Sequence, residues 1–120
     1  MTKIQSPKIY DLEDRTLYYA KDIIRLVKTL PKDQVNMVLA NQVMRSGTSI
    51  GANYREANET ETKQDFKFRI RISRKEAKET IYWLNLIIEA NPTLKDCIEP
   101  LIQEATELVK IFAAILEKSK

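Results

Sequence analysis

The sequence contains no histidine and a single cysteine, Cys97, among its 120 residues. The absence of histidine excludes His-based acid–base catalysis, Ser-His-Asp triads, zinc sites with His ligands and Glu-x-x-His di-iron bundles. A lone cysteine cannot form an internal disulfide or a cysteine metal cluster, which favours a reducing compartment. We therefore expect no metal, no cofactor, no small-molecule substrate and no enzymatic activity.

Glycine and proline are also scarce, with two and four residues. This scarcity, with 43% hydrophobic and 31% charged residues, excludes collagen-like, low-complexity and disordered chains. No apolar run approaches the roughly 20 residues that span a bilayer. The first ten residues lack the apolar segment of a signal peptide. We expect one cytoplasmic domain over residues 1–120, with no membrane partner.

The few breaks in the sequence divide it into four helical segments. Pro31 ends the first, a turn at residues 58–61 follows the second, and Asn91-Pro92 ends the third. Within each segment apolar residues recur with helical spacing, and no strand-like alternation competes. Short connections favour an all-α, up-and-down antiparallel four-helix bundle. The predicted helices are about 10–30, 32–58, 62–90 and 97–118.

Two helix starts have more specific signals. Thr62 with Asp65 three residues later resembles a capping box for the third helix. Pro100 is tolerated only in the first turn of a helix, which predicts that the fourth helix begins near Cys97.

The second helix carries small and polar residues on the side expected to face the core. Gly47 and Gly51 each cost about 1 kcal/mol relative to alanine within a helix, so we expect close approach of a neighbouring helix. An unpaired buried amide costs roughly 1–3 kcal/mol, so buried Gln and Asn side chains must find partners. The pattern favours a tight seam with a satisfied polar network. No general base accompanies Ser46 or Ser49, so neither is expected to be a nucleophile.

The segment from Asn41 to Ala57 follows the pattern Q-x-x-R-S-x-x-S-I-x-x-N-x-x-E-(G/A). This pattern resembles the signature of the 23S ribosomal RNA intervening-sequence proteins, which are four-helix bundles. The resemblance covers nearly the whole chain, and it implies structural roles for its matched residues. The matched residues are Gln42, Arg45, Ser46, Ser49, Asn53 and Glu56 in helix two, with Ser73 and Glu76 in helix three. We expect Arg45 to pair with Glu76.

The resemblance also implies assembly into a ring, typically a homopentamer, with a poorly defined biochemical role. A similar fold belongs to the accessory variability protein of diversity-generating retroelements, a pentamer that binds nucleic acid and a reverse transcriptase. Neither relation supplies a catalytic residue. The chain departs from the family pattern at Arg74-Lys75, where small or apolar residues are more common.

The third helix concentrates the positive charge of the chain. From Lys63 to Lys78 there are seven basic and two acidic residues, a local charge of +5 against +3 for the whole chain. At 100° per residue, six of the seven fall within about 120° of arc. We call these six the basic ridge: Lys63, Lys67, Arg71, Arg74, Lys75 and Lys78.

A regularly spaced cationic helix can neutralise several phosphates, which predicts an oligomeric adaptor that binds RNA or DNA. The alternative is a protein-only scaffold that engages a reverse transcriptase or a ribosome-associated partner. In that case the ridge would be a solvated face or would pair with acidic residues of a neighbouring helix or subunit.

A second apolar group on the third helix lies opposite its core-facing side and consists of Phe68, Ile72, Trp83 and Leu86. A surface helix that is apolar on two sides is better explained by an oligomer than by a lone bundle. We therefore expect these four residues at the interface of a homo-oligomer. The number five comes from the resemblance alone.

Overall fold

The computed structural model describes residues 11–120, in which four α-helices form and no strand is present. The helices are α1 (Leu12–Thr29), α2 (Gln34–Asn58), α3 (Lys63–Ala90) and α4 (Lys95–Lys118), with a 3-10 helix at Pro92–Leu94. The all-α prediction is confirmed, and the helix bounds agree to within a few residues. Tyr10, the predicted start of the first helix, lies outside the described residues.

Side-chain caps fix the starts of the first three helices. The Asp11 carboxylate accepts a hydrogen bond from the Asp14 main-chain N–H at 2.9 Å, and Asp33 caps α2 in the same way. The Thr62 hydroxyl accepts from the Asp65 N–H at 3.1 Å. Each cap satisfies a main-chain donor that the first helical turn leaves unpaired. The predicted cap at Thr62 is confirmed.

The start of α4 differs from the prediction. The helix begins at Lys95, two residues before Cys97, so Pro100 lies inside it beyond the first turn. Proline at this position removes the hydrogen bond to the carbonyl of Asp96. Asp96 is exposed, so water can replace the missing donor. The 3-10 helix that precedes Lys95 already turns the chain into helical geometry.

The four helices enclose one apolar core. α3 packs extensively against α2 and α4, whereas α1 packs mainly on α2 and touches α4 little. Every helix contributes side chains with no exposed surface, among them Ile23, Ile50, Ile70 and Phe112. Short connections make consecutive helices antiparallel, which places α1 across the bundle from α3. None of the helices in residues 11–120 is both long and apolar enough to cross a membrane.

α1 and α2 approach each other most closely at the two glycines of α2. A β-carbon at Gly47 would lie 2.9 Å from Ile23 Cγ1, and one at Gly51 would lie 2.7 Å from Thr16 Oγ1. Real β-carbon contacts are longer than this, so a larger side chain would force the helices apart. The close approach expected at these glycines is confirmed, with α1 as the neighbour.

Candidate nucleic-acid interface

The basic ridge lies along one continuous helix and faces outward. Four of its cations, Lys63, Arg71, Lys75 and Lys78, are exposed, and the other two are half-buried. The ridge lies entirely within α3. Its fifteen helical steps span roughly 22 Å at 1.5 Å per residue. The structure therefore brings the six predicted cations together as one line of positive charge.

No ridge cation forms an ion pair with an Asp or Glu side chain of residues 11–120. The two acidic residues within the stretch, Asp65 and Glu76, lie at least about 80° around the helix from the nearest ridge position. Glu76 is instead paired with Arg45 of α2. Acidic side chains of this bundle therefore do not neutralise the ridge.

Three ridge cations share one surface groove. Lys63, Lys67 and Arg71 line it together with Gln64, and its volume is about 410 Å³. The Lys63 ammonium donates to the main-chain carbonyl of Lys120 at 3.1 Å, so the end of α4 borders the groove. Like charges one helical turn apart repel each other. An anion in the groove would relieve that repulsion.

The buried residues of the sequence signature hold α2 against α3. The Ser73 hydroxyl donates to the carbonyl of Ile50 at 2.9 Å, and both groups are buried. Ser46 Oγ lies 2.9 Å from the hydroxyl of Thr80, also in the interior. Ser46 and Ser73 therefore make buried polar contacts between α2 and α3. The polar pattern of helix two predicted such a network. Thr80, which completes the pair with Ser46, was not identified from the sequence.

Arg45 joins the two helices at the surface of the same seam. Its guanidinium donates to Glu76 at 3.2 Å and to Glu79 at 2.7 Å, and Gln42 Oε1 lies 3.3 Å from Nη2. The hydrogen bond to Glu79 raises the pKa of Arg45, with a further contribution from the charge of Glu76. The predicted pair of Arg45 with Glu76 is confirmed, and Glu79 extends it.

The last signature positions differ in their contacts. Asn53 Nδ2 donates to the carbonyl of Ser49 at 2.9 Å, and Asn53 Oδ1 accepts from Arg69 at 3.0 Å. Arg69 is thereby directed to α2, which separates it from the six ridge cations. Glu56 is exposed, and its side chain has no hydrogen bond or ion pair within the described part of the chain.

Comparison with known proteins shows which family has this fold. The family model for 23S rRNA-intervening sequence proteins matches residues 11–114. The chain belongs to this family. A crystal structure of a protein of unknown function from the S23 ribosomal protein family of Bacteroides thetaiotaomicron is similar, with a TM-score of 0.81 and 38% identity. The match covers 88% of this chain and 98% of that chain. No curated protein matches.

In this intervening-sequence protein, the four apolar residues predicted at an oligomer interface are not equally exposed. Phe68 is 56% exposed and Ile72 is half-buried. Trp83 and Leu86 are half-buried and pack against the core, so the expectation that they stand opposite it is wrong. The reason is that α3 packs on both α2 and α4, so large side chains at its edges reach the core. Within the described residues, Trp83 Nε1 is buried without a hydrogen-bond partner.

Other large apolar side chains are exposed that sequence periodicity did not identify. Val35, Met37 and Val38 at the start of α2 are 58%, 64% and 55% exposed, and Tyr82 of α3 is 59% exposed. The sequence does contain a pattern that could have predicted their exposure. Three apolar residues within four consecutive positions cannot all face one core on a helix, and adjacent Tyr82 and Trp83 point about 100° apart.

No group of three or more His, Cys, Asp or Glu side chains in residues 11–120 is placed to hold a metal ion. Arg15 makes a two-point contact with Glu104, at 2.6 and 2.9 Å, and this hydrogen-bonded pair holds α1 to α4. The ridge is the feature of this surface that can hold a polyanion.

Proposed function

We propose that this intervening-sequence protein is a non-enzymatic adaptor that binds RNA through the basic ridge. The observation that carries the proposal is the line of six cations on α3, which form no ion pair with an Asp or Glu side chain of residues 11–120. A nucleic acid would replace the small counterions that such a line collects, and their release favours binding. Membership of a family named for ribosomal RNA insertions agrees with an RNA ligand.

The size of the ridge fits a single strand of nucleic acid. Its length of roughly 22 Å corresponds to about six phosphates at 3.4 Å each along one strand. Six cations therefore face about the same number of phosphates. The groove lined by Lys63, Lys67 and Arg71 would hold phosphates at one end of the basic ridge.

Charge reversal on the ridge tests the proposal. The variant Lys67→Glu, Arg71→Glu, Lys78→Glu should bind a structured RNA at least about 100-fold more weakly at low salt than the native protein. The matched control reverses three exposed lysines on α1 and the turn after it: Lys21→Glu, Lys28→Glu and Lys32→Glu. The control has the same net charge and should retain most of the affinity.

Circular dichroism and the urea midpoint establish that both variants fold. Equal losses in the two variants would mean that net charge, not the ridge, governs binding. The proposal is wrong if the native protein shows no RNA binding at low salt.

The protein-only scaffold is the second candidate, and the exposed start of α2 favours it. It would engage a reverse transcriptase or a ribosome-associated protein through apolar surface. Affinity capture from native lysate, with and without nuclease, separates the candidates. A partner that remains after nuclease treatment supports the scaffold, and a partner that is lost supports RNA as the bridge.

We also propose that the protein self-assembles through its α2–α3 face, as the pentameric ring implied by the resemblance requires. The Asn36 and Asn91 side-chain amides bond reciprocally, at 3.0 and 2.8 Å, so the start of α2 lies beside the end of α3. Val35 and Val38 are therefore at the same end of the bundle as Trp83 and Leu86, and these two exposed valines form the centre of the proposed contact. Phe68 and Ile72 lie toward the other end of α3, outside the proposed contact.

Light scattering coupled to size exclusion tests this contact. Val38→Glu should shift the protein to a smaller species, because a charge would have to be buried between copies. Ile24→Glu on α1, where the native residue is 41% exposed, should leave the mass unchanged. A native protein that is monomeric at high concentration would contradict self-assembly.

A further inference from the structure

We propose that the ridge prefers single-stranded RNA to duplex because unpaired bases stack on Tyr82 and Phe68. This inference rests on the proposed function and names the form of nucleic acid that the ridge takes. Phe68 lies beside the first half of the ridge and Tyr82 lies one turn beyond Lys78. Phosphate contacts do not require either of these exposed aromatic side chains.

Tyr82 continues the ridge by one helical turn. It follows Lys78 by four residues, which places the two side chains on neighbouring positions of one helix face. The Tyr82 ring meets the Trp83 ring edge-on, with centroids 5.0 Å apart and an interplanar angle of 77°. This contact orients a ring whose residue remains 59% exposed. Tyr82 is therefore a supported aromatic surface rather than a freely rotating one.

Phe68 provides the second aromatic surface. It is 56% exposed, and the Arg69 guanidinium lies 6.0 Å from its ring centroid. The spacing of seven residues from Phe68 to Lys75, and again to Tyr82, places these three side chains on one edge of the helix. The two rings are about 21 Å apart along the axis, with the ridge between and beside them.

Proteins that bind single-stranded nucleic acid combine cations and exposed aromatic rings along one surface. Every unpaired base has a face that can stack on a ring, whereas the bases of a duplex are already stacked on each other. Phosphate contacts alone would not favour a flexible strand over a duplex, which carries more charge per unit length. The separation of the two rings predicts a footprint of about four to six nucleotides.

The experiment uses the full-length protein and three probes at low salt. They are an unstructured RNA of about twelve nucleotides, the same sequence paired with its complement, and an abasic strand with the same number of phosphates. Fluorescence anisotropy measures affinity. Trp83 is the one tryptophan of the chain, so its intrinsic fluorescence reports events at Tyr82.

The native protein should bind the single strand more tightly than the duplex and the abasic strand, and only the single strand should alter Trp83 fluorescence. Tyr82→Ala should weaken single-strand binding by about 5- to 100-fold and leave abasic-strand binding unchanged. Tyr82→Phe should restore the affinity, whereas Tyr82→Leu should not, because leucine keeps apolar surface but lacks a ring. Phe68→Ala should produce a loss in the same range.

The outcomes separate this inference from the proposed function. Equal affinity for the single strand, the duplex and the abasic strand, with Tyr82→Ala unchanged, would overturn the stacking inference and leave the ridge as a phosphate-binding surface. Tighter binding of the duplex would overturn it as well. A native protein that binds none of the probes would refute the proposed function itself.

Discussion

At the scale of single residues, Tyr19 combines an apolar ring with a polar group inside the core. It is 2% exposed, and its hydroxyl donates to the carbonyl of Leu101 at 2.8 Å. Burial raises the pKa of Tyr19, and the negative charges of Glu104 and Asp22 raise it further. Since the ionised form is disfavoured in the fold, the hydroxyl remains a hydrogen-bond donor between α1 and α4.

This raised pKa predicts a loss of stability in alkali. In the unfolded chain tyrosine titrates near about 10, and in the folded chain only at higher pH. The stabilisation from Tyr19 is thus fully present below that unfolded pKa. As the pH rises from there toward the folded pKa, it is lost at about 1.4 kcal/mol per unit.

Urea unfolding from pH 8 to 12 measures the effect. Tyr19→Phe should cost about 1 kcal/mol at neutral pH because the hydrogen bond to Leu101 is lost. The variant should also show a smaller decline in alkali. The same decline in both proteins would show that other groups cause it.

Single residues also show what sequence can predict of a site. All six ridge cations followed from their spacing on helix three, and the Arg45–Glu76 pair was expected between two residues that match the family pattern. Glu79, which makes the shorter contact with Arg45 at 2.7 Å, was not expected. Whether Glu79 can reach Arg45 depends on how far α3 is shifted along α2. The packing between the two helices determines that shift, and the spacing of residues within one helix does not reveal it.

At the scale of helices, the contact between α1 and α2 depends on the absence of a side chain. Gly51 lies against Thr16, where an added β-carbon would be 2.7 Å from Oγ1, 3.0 Å from Cβ and 3.4 Å from the main-chain carbon. Thr16 is itself fully buried and donates to the carbonyl of Leu12 at 2.8 Å, so it has little freedom to move.

Gly51→Ala should therefore lower the free energy of unfolding by up to about 2 kcal/mol. Overpacking costs typically 1–3 kcal/mol, and the higher helix propensity of alanine returns about 1 kcal/mol. Ala52→Gly at the neighbouring exposed position is the control and should cost only the propensity difference. Adding Thr16→Ala to Gly51→Ala should recover part of the loss. An increase in stability from Gly51→Ala alone would contradict close packing at this point.

The sequence predicted the bounds of the helices better than it predicted which side chains pack between helices. Periodicity and the Thr62 cap placed α3 to within one residue of Lys63–Ala90. The start of α4 was placed two residues late because the preceding 3-10 helix has no apolar periodicity of its own. Trp83 and Leu86 were missed as core-packing residues because helical spacing gives the direction of a side chain but not how far the neighbouring helices extend toward it.

At the scale of the whole molecule, charge is segregated. The net charge of +3 is modest because acidic residues outnumber basic residues outside Lys63 to Lys78. Several acidic residues pair with cations outside the ridge. Glu104 pairs with Arg15, Glu76 and Glu79 with Arg45, and Glu13 with Arg55. The cations of α3 retain an excess that the total does not reveal. The sequence predicted this excess of positive charge. It could not predict that no Asp or Glu of residues 11–120 pairs with the ridge, because that depends on how the helices pack together.

The most direct test of the account is the salt dependence of RNA binding. With about six phosphate contacts to a single strand, a plot of log affinity against log salt should have a slope of about −4.2. Lys67→Gln and Lys78→Gln should each reduce the magnitude of that slope by about 0.7, whereas Lys28→Gln on α1 should leave it unchanged. A slope near zero, or one that neutralising the ridge does not alter, would contradict binding through α3.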